Sequence, residues 1–254
     1  MITRFKTAVR SSDAVDGLVM AGATAVAGGF DYLVLVAAGL LLSDGAAIAF
    51  LAVMNLLKIA EQLTWVIRNV AAYYTAELAV QPAALSRIGA FLRERWRWAW
   101  RWGGGTAVLF ILASPFVARL VNVDSTWALA AAGLTLLLFF VRPVTDGALQ
   151  GIQNFWGLGG VAVLQSVLRF GLTVTLVWIG WDVAGAVLAL PLAMGAALGL
   201  AVWLLRPYFR APRAAEAQKV SLRYSALTLV GLFSFALLVY GDAILVNRLF
   251  VPDA

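Results

Sequence analysis

The chain has 254 residues, of which 63% are hydrophobic and 13% charged, with a formal net charge of +6 and a mean hydropathy of +0.90. A soluble domain carries about 25% charged residues, so this chain has too few polar groups to cover itself, and its solvent must be largely lipid. Cysteine and histidine are both absent, which excludes disulfides and thiolate chemistry and removes the commonest general base, metal ligand and proton relay.

The chain opens on the basic "MITRFKTAVR", which Asp13 and Asp16 separate from an apolar stretch over 17–42. A secretory hydrophobic region runs to only about 7–15 residues, so this stretch reads as a retained first helix and not as a cleaved signal peptide. Crossing a bilayer takes about 20 mostly apolar residues. Further stretches of that kind follow at 45–67, 103–121, 126–142, 157–181, 183–205 and 224–246. The expected fold class is an all-α polytopic transmembrane bundle of about seven helices.

Two connections carry unusual composition. Between the second and third stretches, "RIGAFLRERWRWAWRW" (87–102) alternates Arg with Trp. It reads as an interfacial helix whose Trp rings sit at headgroup level while its Arg side chains reach water. The sharper alternative is a docking site for anionic headgroups or for a charged substrate. Residues 142–156, within "FVRPVTDGALQGIQNFWGLGG" (140–160), read as a solvated cytoplasmic turn between the fourth and fifth stretches. Arg142 and Asp146 are spaced there to pair on one helical face.

The basic residues set an orientation. Fifteen of the nineteen Lys and Arg precede the first stretch or fall in every second connection, whereas Arg119 and Arg248 alone mark the opposite side. The positive-inside rule then puts the N-terminus in the cytoplasm. The high pI is accordingly a topology signal, and nucleic acid is not an expected partner.

Charges within apolar stretches cost about 2.5–3.5 kcal/mol each on insertion scales if they face lipid, so they are functional candidates by default. Asp31, Lys58, Glu61 and Arg169 are of this kind. Asn55, Lys58, Gln62, Trp65 and Asn69 recur at steps of three and four and make a polar stripe; Gln165, Arg169 and Thr173 make a second. Interhelical hydrogen bonding that merely holds the bundle together is the plain alternative for Asn55, Gln62, Gln165 and Thr173. Lys58 and Arg169 are favoured as cavity-lining cations. No catalytic constellation accompanies them, and no metal or other cofactor is expected.

The stretch "DGALQGIQNFWGLGGVAVLQSVLRFGLTVTLVWIGWDVAGAVLAL" (146–190) resembles the polysaccharide-flippase branch of the multidrug/oligosaccharidyl-lipid/polysaccharide (MOP) exporter superfamily. Leu149, Gln150, Gly151 and Phe155 match its "LQG-x-x-x-F" turn. Gly180, Gly185 and Ala186 match its "G-x-G-x-x-G-A" turn, with Trp181 and Asp182 in place of the usual small residue. "LTWVIRNVAAYYTAELA" (63–79) and "YGDAILVNRLFVPDA" (240–254) are similar to other parts of the same pattern.

The resemblance implies a carrier, not an enzyme, that moves a polyprenyl-pyrophosphate-linked oligosaccharide across the inner (plasma) membrane by alternating access. Its partners would be that lipid-linked substrate and membrane lipid. The family pattern has two lobes. This chain would supply a six-helix lobe (1–205), a basic cytoplasmic linker (206–223) and a seventh helix opening an incomplete second lobe (224–254). It would then be an N-terminal fragment or truncated frame, needing the missing C-terminal lobe for function. The substrate-binding candidates are Arg169, Lys58, Gln62, Gln165, Asn55, Asp31 and Glu61. One alternative is a drug exporter of the same superfamily coupled to Na⁺ or H⁺ through Asp31, Glu61 and Asp242. Another is a membrane-embedded glycosyltransferase or ligase, which the short outer connections disfavour.

Overall fold

A computed structural model describes the backbone of residues 2–121 and 125–212. The order is α1 (Ile2–Leu41), α2 (Asp44–Ala79), α3 (Ala84–Val121), α4 (Thr126–Gly151), α5 (Phe155–Leu176), α6 (Asp182–Leu204) and the short α7 (Arg206–Arg210). The chain is an all-α polytopic bundle, as its composition requires, and α1 to α6 are long and apolar enough to cross a membrane. The expected seventh stretch at 224–246, most of the basic linker, and Asp242 lie outside the described residues.

Several helices run well past the apolar stretches that announce them. α2 continues to Ala79 because Val70, Ala71, Tyr74 and Leu78 still give it a buried face. α3 begins at Ala84, and Ile88, Phe91, Leu92 and Ala99 are buried along its first half. The Arg/Trp stretch at 87–102 is thus no separate interfacial helix but the amphipathic start of α3. The expected turn at 142–156 is corrected in the same way: α4 runs through Pro143 to Gly151. Neighbouring helices compensate for a proline inside a spanning helix, and here Val141, Val144, Ala148 and Leu149 keep that segment buried. The connection shrinks to the residues after Gly151. Asn154 closes it by accepting a hydrogen bond from the Gly157 N–H at 2.9 Å, capping α5.

α4 packs on α2, α3 and α6, while α1 packs mainly on α5 and touches α2 little. The α2–α4 seam is close because Gly147 and Gly151, four residues apart, lie against α2. A Cβ on Gly151 would come within 2.6 Å of the Ala72 carbonyl, and one on Gly147 would overlap the Arg68 carbonyl. Small residues at this spacing let membrane helices approach backbone to backbone. Between α5 and α6 the chain folds back through a π-helical turn, Val177–Trp181, where Gly180 has φ +92°. Only glycine takes that conformation at little cost. Beyond α6, Arg93 of α3 donates to the carbonyls of Phe209 and Ala211, both at 3.0 Å, and Trp96 meets Phe209 edge-on.

Candidate functional site

Where α1 leans on α5 and α2 leans on α4, a charged cleft remains between the two pairs. Its inner part, about 340 Å³, is lined by Asp31, Lys58, Glu61, Arg142, Gln165 and Arg169 together with Tyr32, Met54, Phe139 and Met194. An adjoining part of about 200 Å³ shares Asp31, Glu61, Arg142 and Gln165 and adds Trp65, Arg68, Asp146 and Ser166. Four cations and three carboxylates thus meet in a bundle whose remaining interior is almost wholly apolar.

Each charge is placed by its helix. Arg169, on α5, reaches across to α1, where its Nη1 donates to Asp31 Oδ1 at 3.0 Å; its Nη2 donates to the Met54 sulfur on α2 at 3.3 Å. The Arg169 side chain is 13% exposed and that of Asp31 48%, so the pair lies at the wall of the cleft with its acidic end toward the opening. Arg142 pairs with Asp146 one turn further along α4 at 3.2 Å, with both side chains nearly buried. Arg68 donates from Nε to Gln150 Oε1 at 3.2 Å and stacks over the Trp65 ring at 5.6 Å. Three of the four cations are therefore engaged. Among the described residues, the Lys58 ammonium has no hydrogen-bond or ion-pair partner, and neither has the Glu61 carboxylate. Gln165 Oε1 and Arg169 Nε are buried without a partner among the described residues, so the wall retains acceptor and donor capacity that a polar solute would use.

Five of the seven residues singled out from the sequence come together here: Arg169, Lys58, Gln165, Asp31 and Glu61. Asn55 and Gln62 line neither part. Thr173, on the second stripe, is fully buried one turn beyond Arg169, outside the cleft lining. The charge pattern of the sequence places Arg68, Arg142 and Asp146 in cytoplasmic connections, yet they are cleft residues on the continuous helices α2 and α4. The available signal was the spacing of Arg142 and Asp146 on one helical face, followed by the buried-face pattern Val144, Ala148, Leu149.

No family model and no curated protein sequence matches the chain. Among solved structures, its fold is similar to that of a MOP superfamily transporter from Pyrococcus furiosus. The TM-score is 0.62 at 15% identity over 88% of this chain. That transporter is described as having a binding pocket of reversed polarity that suggests a different function. The chain spans about half of its length, 52%.

Proposed function

We propose that this chain is the charged half of a membrane transporter that moves a polyprenyl-pyrophosphate-linked oligosaccharide by alternating access for cell-surface polysaccharide synthesis. It acts as a carrier without catalysis, in the inner (plasma) membrane, with the N-terminus cytoplasmic. The observation that carries the reading is the ammonium of Lys58, which has no hydrogen-bond or ion-pair partner among the described residues, in a cleft already lined by Arg68, Arg142 and Arg169. A wall with four cations against three carboxylates, and with donors and acceptors that have no partner among the described residues, suits a solute with a doubly anionic phosphate head and a hydroxyl-rich glycan. The MOP-type fold supports transport by rocking one lobe against another around a site near the membrane midplane. The described helices form one wall of such a site, and a complementary second lobe would form the other.

Binding tests the reading directly. The purified chain should bind a labelled polyprenyl-pyrophosphate oligosaccharide saturably and a neutral glycolipid with the same glycan at least tenfold more weakly. Lys58→Gln should remove much of that difference without lowering the folded yield. Equal binding of the two lipids by the parent chain would overturn the proposal, and so would product formation from the labelled lipid alone.

A second reading rests on the Glu61 carboxylate, which opens onto the cleft without a partner among the described residues. In a cation-coupled exporter it would be the ion-carrying group, with Asp31 beside it. Cation flux stimulated by an organic cation, abolished in Glu61→Gln, would select that reading over the first.

A further inference from the structure

We propose that the outward face of α3 around Arg97 and Arg101 is a binding site for the headgroup of an anionic phospholipid, whatever solute the cleft carries. The argument starts from helix geometry. Ile88, Phe91, Leu92 and Ala99 define the buried side of this segment. At ~100° per residue, Arg97 and Arg101 then project from the opposite side, with Trp98 on one flank and Trp100 on the other. Both Arg residues are exposed, and so are Trp98, Trp100 and Trp102. Trp98 packs on Trp102 and on Phe140 of α4, so the aromatic flank is held in place. α3 contributes no residue to either part of the charged cleft, which leaves this face turned toward the surrounding membrane.

Depth comes from length. The uncharged stretch of α3 runs from Trp102 to Ala118, between Arg101 and Arg119, and at 1.5 Å per residue it measures about 26 Å. The hydrocarbon core is about 30 Å thick, with roughly 5–7 Å of headgroup layer on each side. Arg101 therefore lies at the hydrocarbon boundary, and Arg97 about 6 Å further out, one turn along. Both guanidinium groups fall within the phosphate layer. Arg97 spends its Nε on the Arg93 carbonyl at 3.3 Å, which fixes the side chain and leaves its terminal nitrogens without a partner among the described residues. The one nearby carboxylate on this segment, Glu94, is engaged by Arg95. Two guanidiniums one turn apart, at phosphate depth and bracketed by indole rings, suit a phosphodiester whose acyl chains lie along the Trp faces.

Native mass spectrometry of the full chain, titrated with phosphatidylglycerol and with phosphatidylcholine, tests this. The parent chain should bind the first about tenfold more tightly at its highest-affinity site. Arg97→Gln/Arg101→Gln should reduce the ratio to near one. Arg97→Lys/Arg101→Lys, which keeps the charge and provides for the case in which the first variant fails to fold, should retain only part of it. Arg87→Gln, at an exposed Arg committed to Gln81, should leave the ratio unchanged. No preference in the parent chain would overturn the proposal. An undiminished preference in the folded glutamine variant would do the same, as would displacement of the lipid by millimolar inorganic phosphate.

Discussion

Arg169 and Asp31 form an ion pair whose two ends differ in their access to water, and that difference predicts an asymmetry. Removing one partner of a buried pair costs about 3–5 kcal/mol because the other is stranded. Asp31, 48% exposed, can be rehydrated when its partner is removed, whereas Arg169, 13% exposed, cannot. Asp31→Ala should therefore destabilise the fold more than Arg169→Met does, by an amount on the order of 1–2 kcal/mol, seen as a lower thermal midpoint in detergent. The exchanged pair, Asp31→Arg with Arg169→Asp, should recover part of the loss. Equal effects of the two single variants would show that the pair does not stabilise the wall in this way. The sequence made these two residues visible, because a charge within an apolar stretch stands out by its cost. It did not make Arg68 or Arg142 visible, since each stands where its apolar run ends and a hydropathy reading turns to water. Asn55 and Gln62 were drawn in by polarity and spacing alone. The face that lines the cleft runs through Lys58, Glu61, Trp65 and Arg68. It is rotated from the expected stripe by rather less than the ~100° between successive residues, a difference that only the neighbouring helices determine.

At the scale of elements, the α2–α4 seam holds one wall of the cleft together, and it depends on two missing side chains. Gly151→Ala places a methyl group 2.6 Å from the Ala72 carbonyl, and because backbone cannot yield as a side-chain tip can, α4 must move away from α2. Overpacking of this kind costs about 1–3 kcal/mol, and Gly147→Ala should cost at least as much. Gly160, in the second turn of α5, has nothing within 4 Å of the same position. Gly160→Ala should then be neutral or should stabilise by up to about 1 kcal/mol through helix propensity. Thermal midpoints of the three variants in one detergent provide the comparison; a Gly151→Ala as stable as Gly160→Ala would refute the close seam. The "DGALQG" stretch carried this information as a small-xxx-small spacing, although its polar neighbours made it read as a turn. Helix ends were hard to read for a related reason. Hydropathy records where a helix meets lipid, but α2, α3 and α4 continue as amphipathic helices whose buried faces meet protein.

For the whole molecule the remaining question is which end of the bundle faces the cytoplasm, and the helix lengths sharpen it. α1 has 40 residues, about 60 Å of helix against a hydrocarbon core of about 30 Å. Its basic first third must therefore project beyond the bilayer on the same side as the start of α3. That end carries Arg87, Arg93, Arg95, Arg97 and Arg101 on α3 and Arg206 and Arg210 on α7, whereas Arg119 stands at the other. Moving Arg68 and Arg142 from connections into the cleft weakens the imbalance without reversing it, so the positive-inside rule still assigns the basic end to the cytoplasm. Because the chain has no cysteine, single introduced thiols can test this without background. Ser43→Cys, in the α1–α2 connection, and Ile179→Cys, in the π-helical turn before α6, sit at exposed positions of the sparsely charged end. Ala83→Cys and Gln153→Cys sit at exposed positions of the basic end. In intact cells a membrane-impermeant maleimide should label the first two and spare the second two until the membrane is opened. The converse pattern would turn the bundle over and place the α3 lipid site in the outer leaflet. Labelling of all four in intact cells would mean that the helices do not cross the bilayer as the fold requires.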